Sequence, residues 1–305
     1  YSTNYEENYN FTDDGEGLED TYLHGTHVAG IIGATINNSL GVAGTAKNVK
    51  LINLKIFKTV IENGKKKAIG SSVWTAGAIN RAAQYGIKII NCSFSGSAIS
   101  VTEAAINNYG GLVIASAGNE GNNSLRYPAS YTNNYIIAVA ATNSSDQLAS
   151  FSSYGTSNID LAAPGENIIS TVDNNGYNYK DGTSMATPFV TGVAAMIMSL
   201  NPSMSRVTIR SHILNNIDLV SGLNGYVASS GRLNAFNALR SACGYLMGDV
   251  NFDNSITTAD ARLVLRCAVE LESFSSKQLV LADMNKSATI TTEDARLILQ
   301  IAIGG

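Results

Sequence analysis

Four continuous apolar runs, each closed by glycine or polar turn residues, organise the first 240 residues: VKLINLKIF, GIKIINCSF, GLVIASAG and YIIAVAATN. Runs of this length without polar alternation fit strands covered on both faces, the situation of a parallel sheet. Between them, TAGAINRAAQYG and VTEAAINNYG repeat their apolar positions at helical spacing. Two further stretches, HGTHVAGIIGA and the run from Met185 to about Leu200, read as apolar helices opening on polar turns. Alternation of strand and helix predicts an α/β domain, with reactive groups at the carboxyl ends of the strands. Ser93, Asn119 and the turn holding Ser184 all fall there.

Ser184 sits in DGTSMATPFVTGVAA, a tight Gly-Thr-Ser turn at the mouth of its helix. A helix N-terminus leaves N–H groups unpaired and carries partial positive charge, which suits a developing oxyanion. His24, 160 residues upstream, opens the other helix and is placed to take a proton from a serine. Asn119 follows GLVIASAG and has an amide to offer the same oxyanion. Each residue also has a plainer role: Ser184 as a helix cap, Asn119 as a turn residue. His27 and His212 read as structural.

The segments HGTHVAG, SAGNEG and GTSMATP, in that order, resemble the three signature segments of the subtilisin-like serine proteases. The similarity runs from about Asn10 to about Ala242 and includes NNSLGVAGTA, NCSFSG, RYPAS and IDLAAPGENIIST. The resemblance implies a three-layer parallel-sheet α/β domain with His24 as general base, Ser184 as nucleophile and Asn119 as oxyanion donor. It further implies that Ser93, Phe94 and Ser95 line a groove pairing with an extended peptide. Ser116, Ala117 and Gly118 then floor the pocket for the residue before the cleaved bond. Small floor residues suggest room for a large apolar or aromatic side chain, and a cis Tyr127-Pro128 bond is expected beside the groove. INNSLGVAG resembles the family's tight calcium loop, with the Asn38 side chain and the carbonyls of Ile36, Leu40 and Val42 as ligands; locally it reads equally well as a turn after a helix. The family's triad aspartate, on an apolar strand before the histidine helix, has no counterpart in YSTNYEENYNFTDDGEGLEDTYL. Asp13, Asp14 and Asp20 lie in what is a variable loop in relatives, so the sequence reads as an N-terminally incomplete protease.

After Ala242 the pattern changes to an internal repeat, DVNFDNSITTADARLVLRCAV and DMNKSATITTEDARLILQIAI, offset by 34 residues. Each opens with acidic, amide or hydroxyl side chains at loop positions 1, 3 and 5, and has Asp at position 12 leading into a helix. That is EF-hand loop spacing, with no helix of useful length expected before either loop. The arrangement resembles dockerin type I modules, small all-α domains of two loop-helix units that bind Ca²⁺ and dock on cohesin domains of a scaffold, as in cellulosomes. The resemblance assigns the first ion to Asp249, Asn251, Asp253, the carbonyl of Ser255, and Asp260. It assigns the second to Asp283, Asn285, Ser287, the carbonyl of Thr289, and Asp294. Asn254 and Ala288 replace the usual turn glycine, and Ser287 replaces a carboxylate, so the second site is expected to be the weaker.

Composition agrees with a two-domain globular chain of 305 residues, divided as 1–242 and 244–305. A net charge of −4 gives no basic surface for nucleic acid, and the run VTGVAAMIMSL reads as too short to span a bilayer. Cys92 is expected as a buried thiol, and Cys243 with Cys267 as a conceivable disulfide. The combined reading is a secreted, extracellular serine endopeptidase tethered to a cohesin-bearing scaffold. The alternative is a catalytically impaired protease fragment serving only calcium-dependent docking or peptide binding.

Overall fold

The computed structural model describes residues 6–15, 17–244 and 246–304. The chain divides into two compact units, 1–234 and 235–305. In the first, β1 (Tyr9–Asn10), α1 (His24–Gly33) and β2 (Leu54–Lys55) precede a hairpin of β3 (Phe57–Glu62) and β4 (Lys65–Gly70). Then come α2 (Ser72–Gln84), β5 (Ile89–Cys92), α3 (Ser100–Asn108), β6 (Leu112–Ser116), β7 (Ile136–Thr142) and β8 (Leu161–Pro164). A second hairpin, β9 (Ile168–Thr171) and β10 (Tyr177–Lys180), leads into α4 (Thr183–Leu200) and α5 (Arg206–Leu214). Two short strands, β11 (Asp218–Leu219) and β12 (Gly231–Arg232), complete the unit.

The central sheet has the order β11-β12-β8-β7-β6-β5, with only the β11–β12 pair antiparallel. Every residue of β6 and β7 is buried, which explains why the sequence shows unbroken apolar runs there. Val113 and Ala115 face α2 and α3 through Ala76, Ile79, Ala105 and Ile106, while α4 packs against β5 to β8. Val190, Val193, Ala194 and Ile197 of α4 are fully buried, each larger side chain contributing on the order of 1.5–3 kcal/mol by leaving water. Helix α4 is longer than the apolar run that marked it. At 18 residues it is long and apolar enough to cross a membrane by composition, but 61% of it is buried inside the unit, as befits a core helix.

One expected sheet strand is displaced. Within VKLINLKIF only Leu54–Lys55 forms a strand, and it pairs in parallel with β1, outside the six-stranded sheet. The remainder of the run turns into the β3–β4 hairpin from Phe57 onward. Strand β5 therefore ends the described sheet.

The second compact unit includes a helix that lies ahead of the composition change after Ala242. Helix α6 (Ala235–Ala242) packs on α8 (Ser276–Ala282), so it belongs with the repeats, which contain α7 (Thr258–Ala268) and α9 (Thr292–Ala302). Short helices thus do stand before the loops, with α8 running directly into the second. Helices α7 and α9 pack on each other, and their equivalent residues Val264 and Ile298 are both fully buried. Cys92, Cys243 and Cys267 are all free thiols, so the Cys243–Cys267 disulfide is not formed.

The two loops share most of their hydrogen bonds. Asp260 Oδ1 accepts from the N–H groups of Val250 and Asn251, as Asp294 Oδ1 does from Met284 and Asn285. Position 6 is left-handed in both, with φ of 64° at Asn254 and 63° at Ala288. Asparagine tolerates that region, but alanine pays about 1 kcal/mol or more for it. Ala288→Gly is therefore expected to stabilise the second unit by roughly 1 kcal/mol, read as a raised denaturation midpoint, whereas Asn254→Gly should change little.

Candidate active site

Helix α4 starts at Gly182, whose φ of 149° and ψ of 155° turn the chain sharply from β10 into the helix. The turn is fixed to the end of β6 by side-chain bonds. Asn119 Oδ1 accepts from Thr183 N–H and Thr183 Oγ1, both at 2.9 Å, and Thr183 Oγ1 accepts from Gly118 N–H at 3.2 Å. With its oxygen engaged, Asn119 presents Nδ2 as the free end of its amide, 3.3 Å from where a Cβ on Gly182 would stand. Asn119 is exposed while Thr183 is buried, so the anchor is dry and the donor faces solvent.

Ser184 Oγ donates to the Ser93 carbonyl at 3.0 Å, and Ser93 Oγ donates to the Ser184 carbonyl at 2.8 Å. Ser93 is buried, and its side chain locks the Ser184 turn. Phe94 packs edge-on against Phe57, and Ser95 leads to Gly96, which forms an antiparallel bridge with Tyr127. The Tyr127-Pro128 bond is cis. Ser116 and Ala117 are buried, and Ser116 Oγ donates to the Phe94 carbonyl at 3.1 Å. The end of β6 is thereby tied to the segment that follows β5.

His24 is the first residue of α1, preceded by Leu23 in the left-handed region at φ 60°. Among the described residues, no hydrogen bond joins its ring to another group, Ser184 included. Lys180, at the end of β10, donates to the Leu23 carbonyl at 3.0 Å and so fastens the start of α1 to the strand leading to Ser184. Nothing in the spacing of Lys180 marks it in the sequence. Burial pushes the His24 pKa down to about 4, with Lys180 lowering it further and Asp20 opposing. Asp20 Oδ2 accepts from Thr26 N–H at 2.6 Å and Thr26 Oγ1 at 2.9 Å, which caps the helix. Asp13 pairs with Lys58 and Asp14 with Lys55. None of the three orients the His24 ring. His27 is fully buried with Nε2 3.0 Å from the Asn178 carbonyl, a packing role.

The expected calcium ligands have oxygen-only chemistry, as Ca²⁺ requires. In the second unit Asp249, Asp260, Asp283 and Asp294 are all buried, and no ion pair neutralises them among the described residues. Buried carboxylates without a cationic partner are costly, and a divalent ion fits that need. The side chains, however, are aimed at backbone. Asp249 accepts from the N–H groups of Asp253 and Asn254, Asn251 Oδ1 from Asp253 N–H, and Asp253 Oδ1 from Ser255 N–H. Asp283, Asn285 and Ser287 repeat this, with Ser287 Oγ donating to the Thr289 carbonyl. Among the described residues no three acidic, histidine or cysteine side chains gather into one metal-ligating group; the expected ligand sets draw on amide, hydroxyl and carbonyl oxygens as well. These backbone N–H bonds hold the loops in shape but supply no net charge to balance the buried carboxylates. In the loop 35–43, Asn38 is exposed and its Oδ1 accepts from Leu40 N–H at 3.1 Å, while Asn37, Ser39 and Gly41 are all left-handed.

If His24 must be neutral to accept the Ser184 proton, its lowered pKa carries a pH signature. The neutral form persists down to about pH 4, so covalent labelling of Ser184 should fall off near that value and not near the ordinary 6.5. Lys180→Met removes a repelling charge and should move the fall-off upward. Because the unfolded chain takes up this proton first, stability should also decline as pH drops from 6.5 toward 4.

Comparison with known proteins bears on this geometry directly. The subtilase family profile matches residues 1–245, and the dockerin type I domain profile matches residues 247–300. Thermitase from Thermoactinomyces vulgaris is 42% identical over 238 residues, covering 76% of this chain and 80% of thermitase. A thermophilic serine proteinase from Bacillus sp. (strain AK1) is 40% identical over 76% of this chain, which spans only 55% of that protein. Subtilisin Savinase from Lederbergia lenta is 40% identical, covering 75% of this chain and 80% of its own length. Among solved structures, the prenylagaramide maturation protease PagA superposes with a TM-score of 0.63 at 28% identity, over 73% of this chain and 83% of that one. The chain belongs to the subtilase family and carries a dockerin type I domain behind its peptidase unit.

Proposed function

We propose that this protein is a secreted serine endopeptidase held on a cohesin-bearing scaffold through its calcium-binding dockerin. The observation that carries the reading is the clamp of Asn119 on Thr183, which sets an amide donor beside Ser184 at the N-terminus of α4. In this scheme Ser184 Oγ leaves the Ser93 carbonyl by rotation about χ1 and gives its proton to His24 as it attacks a peptide carbonyl. Asn119 Nδ2 and the helix N-terminus receive the negative charge that grows on the carbonyl oxygen. His24 then passes the proton to the departing amine, and water repeats the sequence on the acyl-enzyme. The extended substrate lies along residues 93–95, paired by main chain, which gives affinity with limited sequence preference.

Ca²⁺ belongs to the docking half in this reading, held by Asp249, Asn251, Asp253, Ser255 and Asp260 and by Asp283, Asn285, Ser287, Thr289 and Asp294. Its role is to neutralise buried carboxylates and fix the loops for cohesin. A further calcium ion in the peptidase unit would be held by the 35–43 loop and Asn38. Family relationship to secreted peptidases and the presence of a dockerin support an extracellular setting.

A second reading, that the chain is a docking or peptide-binding module with impaired chemistry, draws on one observation: none of Asp13, Asp14 and Asp20 orients the His24 ring. Loss of the triad carboxylate alone costs about four orders of magnitude in kcat in subtilisin. A fluorophosphonate probe decides between them. Slow labelling at Ser184, abolished in Ser184→Ala and accelerated by adding an apolar strand that ends in aspartate, supports the enzyme. Absence of labelling with and without that strand leaves the docking module. Separately, chelation should abolish cohesin binding and lower the helicity of residues 235–305 while the peptidase unit stays folded, which circular dichroism and pull-down on an immobilised cohesin would show.

A further inference from the structure

The pocket floor at Gly118 is not open. Gly118 has a φ of 105°, and a Cβ built on it would lie 2.5 Å from Glu120 Oε2, 2.9 Å from Arg126 Cγ and 3.1 Å from Ser153 Oγ. The space over the floor is thus taken by the stem of Arg126 and the carboxylate of Glu120. Arg126 Nη2 pairs with Glu120 Oε1 at 2.8 Å. Glu120 is fixed from behind by the buried Ser153, whose Oγ donates to Oε2 at 2.9 Å and lies 3.2 Å from the Glu120 N–H.

Arg126 is anchored as firmly at its backbone. Its N–H donates to Ser130 Oγ at 3.1 Å and its carbonyl accepts from Ser130 N–H at 2.8 Å. The following residue, Tyr127, exchanges two backbone bonds with Gly96, next to the groove segment 93–95. The side chain therefore crosses from the groove wall to the floor. Both members of the pair remain about one-third exposed, at 31% and 34%, so an arriving side chain can reach them. The guanidinium still has donors to give: Nε is buried without a partner, and Nη1 makes no hydrogen bond among the described residues.

We propose that Arg126, held by Glu120 across Gly118, is the specificity-determining residue of this pocket. It selects side chains that end in an oxygen acceptor, glutamine or glutamate, and rejects large apolar or aromatic ones. The proposal rests on the endopeptidase reading and replaces the expectation of a roomy apolar pocket. Two physical effects act together. The arginine stem and the carboxylate fill the volume a large ring needs. An apolar group packed there would also desolvate guanidinium donors without satisfying them, whereas a carboxamide or carboxylate oxygen gives them a charge-assisted bond. Sites built to hydrogen-bond a substrate group discriminate strongly against analogues that lack it.

The test uses the intact 305-residue chain and four peptidyl diphenyl phosphonates differing only in the residue before phosphorus: Gln, Glu, Leu and Phe. Labelling forms a bond from Ser184 Oγ to phosphorus, expels phenoxide and passes the serine proton to His24, and mass spectrometry reads its rate. The wild-type chain should react at least about tenfold faster with Gln and Glu than with Leu and Phe. Arg126→Met, which keeps the stem but not the donors, should erase that preference, and Arg126→Ala should invert it toward Phe. A small fluorophosphonate without a side chain reports the reactivity of Ser184 alone, and its rate normalises the phosphonate rates of each protein. Faster wild-type reaction with Phe, or an unchanged ratio in both variants, overturns the pocket assignment while leaving the endopeptidase reading intact. Failure of every probe, the fluorophosphonate included, overturns both.

Discussion

Thr183 is the residue on which the active-site geometry depends. Its N–H and hydroxyl both reach Asn119 Oδ1, and its oxygen receives Gly118 N–H, so the end of β6 and the start of α4 are welded at one buried point. A buried, fully engaged hydroxyl is rigid because any movement strands polar groups away from water. That rigidity orients the Asn119 amide, and it sets Ser184 one residue into the helix. The reciprocal bonds between Ser184 and Ser93 add the end of β5 to the same assembly. Three strand and helix termini, distant in sequence, are thereby held as one surface.

His24 reaches this surface by a different route. It is positioned by its backbone, through Lys180 on the Leu23 carbonyl and the Asp20 cap on Thr26, while its ring has no orienting partner among the described residues. Position without orientation is a weak arrangement for a general base, since the tautomer and ring angle then have no fixed reference.

The second unit solves a separate difficulty, that of keeping four carboxylates buried in about 70 residues. Each loop surrounds its acids with backbone N–H groups, and positions 4 and 6 of both loops take left-handed backbone to do it. Capping boxes at Thr257–Asp260 and Thr291–Asp294 make the same acids part of the helix starts. Loop charge and helix nucleation are therefore one device, repeated through the pairing of α7 with α9.

The sequence by itself determined the α/β class, the strands β5 to β7, the helices opening at His24 and Thr183, and the 34-residue repeat. Those features follow from local apolar periodicity, glycine turns and chain order, which a linear string displays. It overstated VKLINLKIF, because whether an apolar run joins a sheet depends on which neighbour is available to pair with it. The packing of α6 on α8, some 40 residues further along, is likewise not displayed by the string. Arg126 and Glu120 carry no motif; only the fold brings an arginine stem and a carboxylate of one long loop back beside Gly118. The direction of side chains is set by packing, which a linear string does not display, and so the surroundings of Gly118 belonged to the tertiary structure alone.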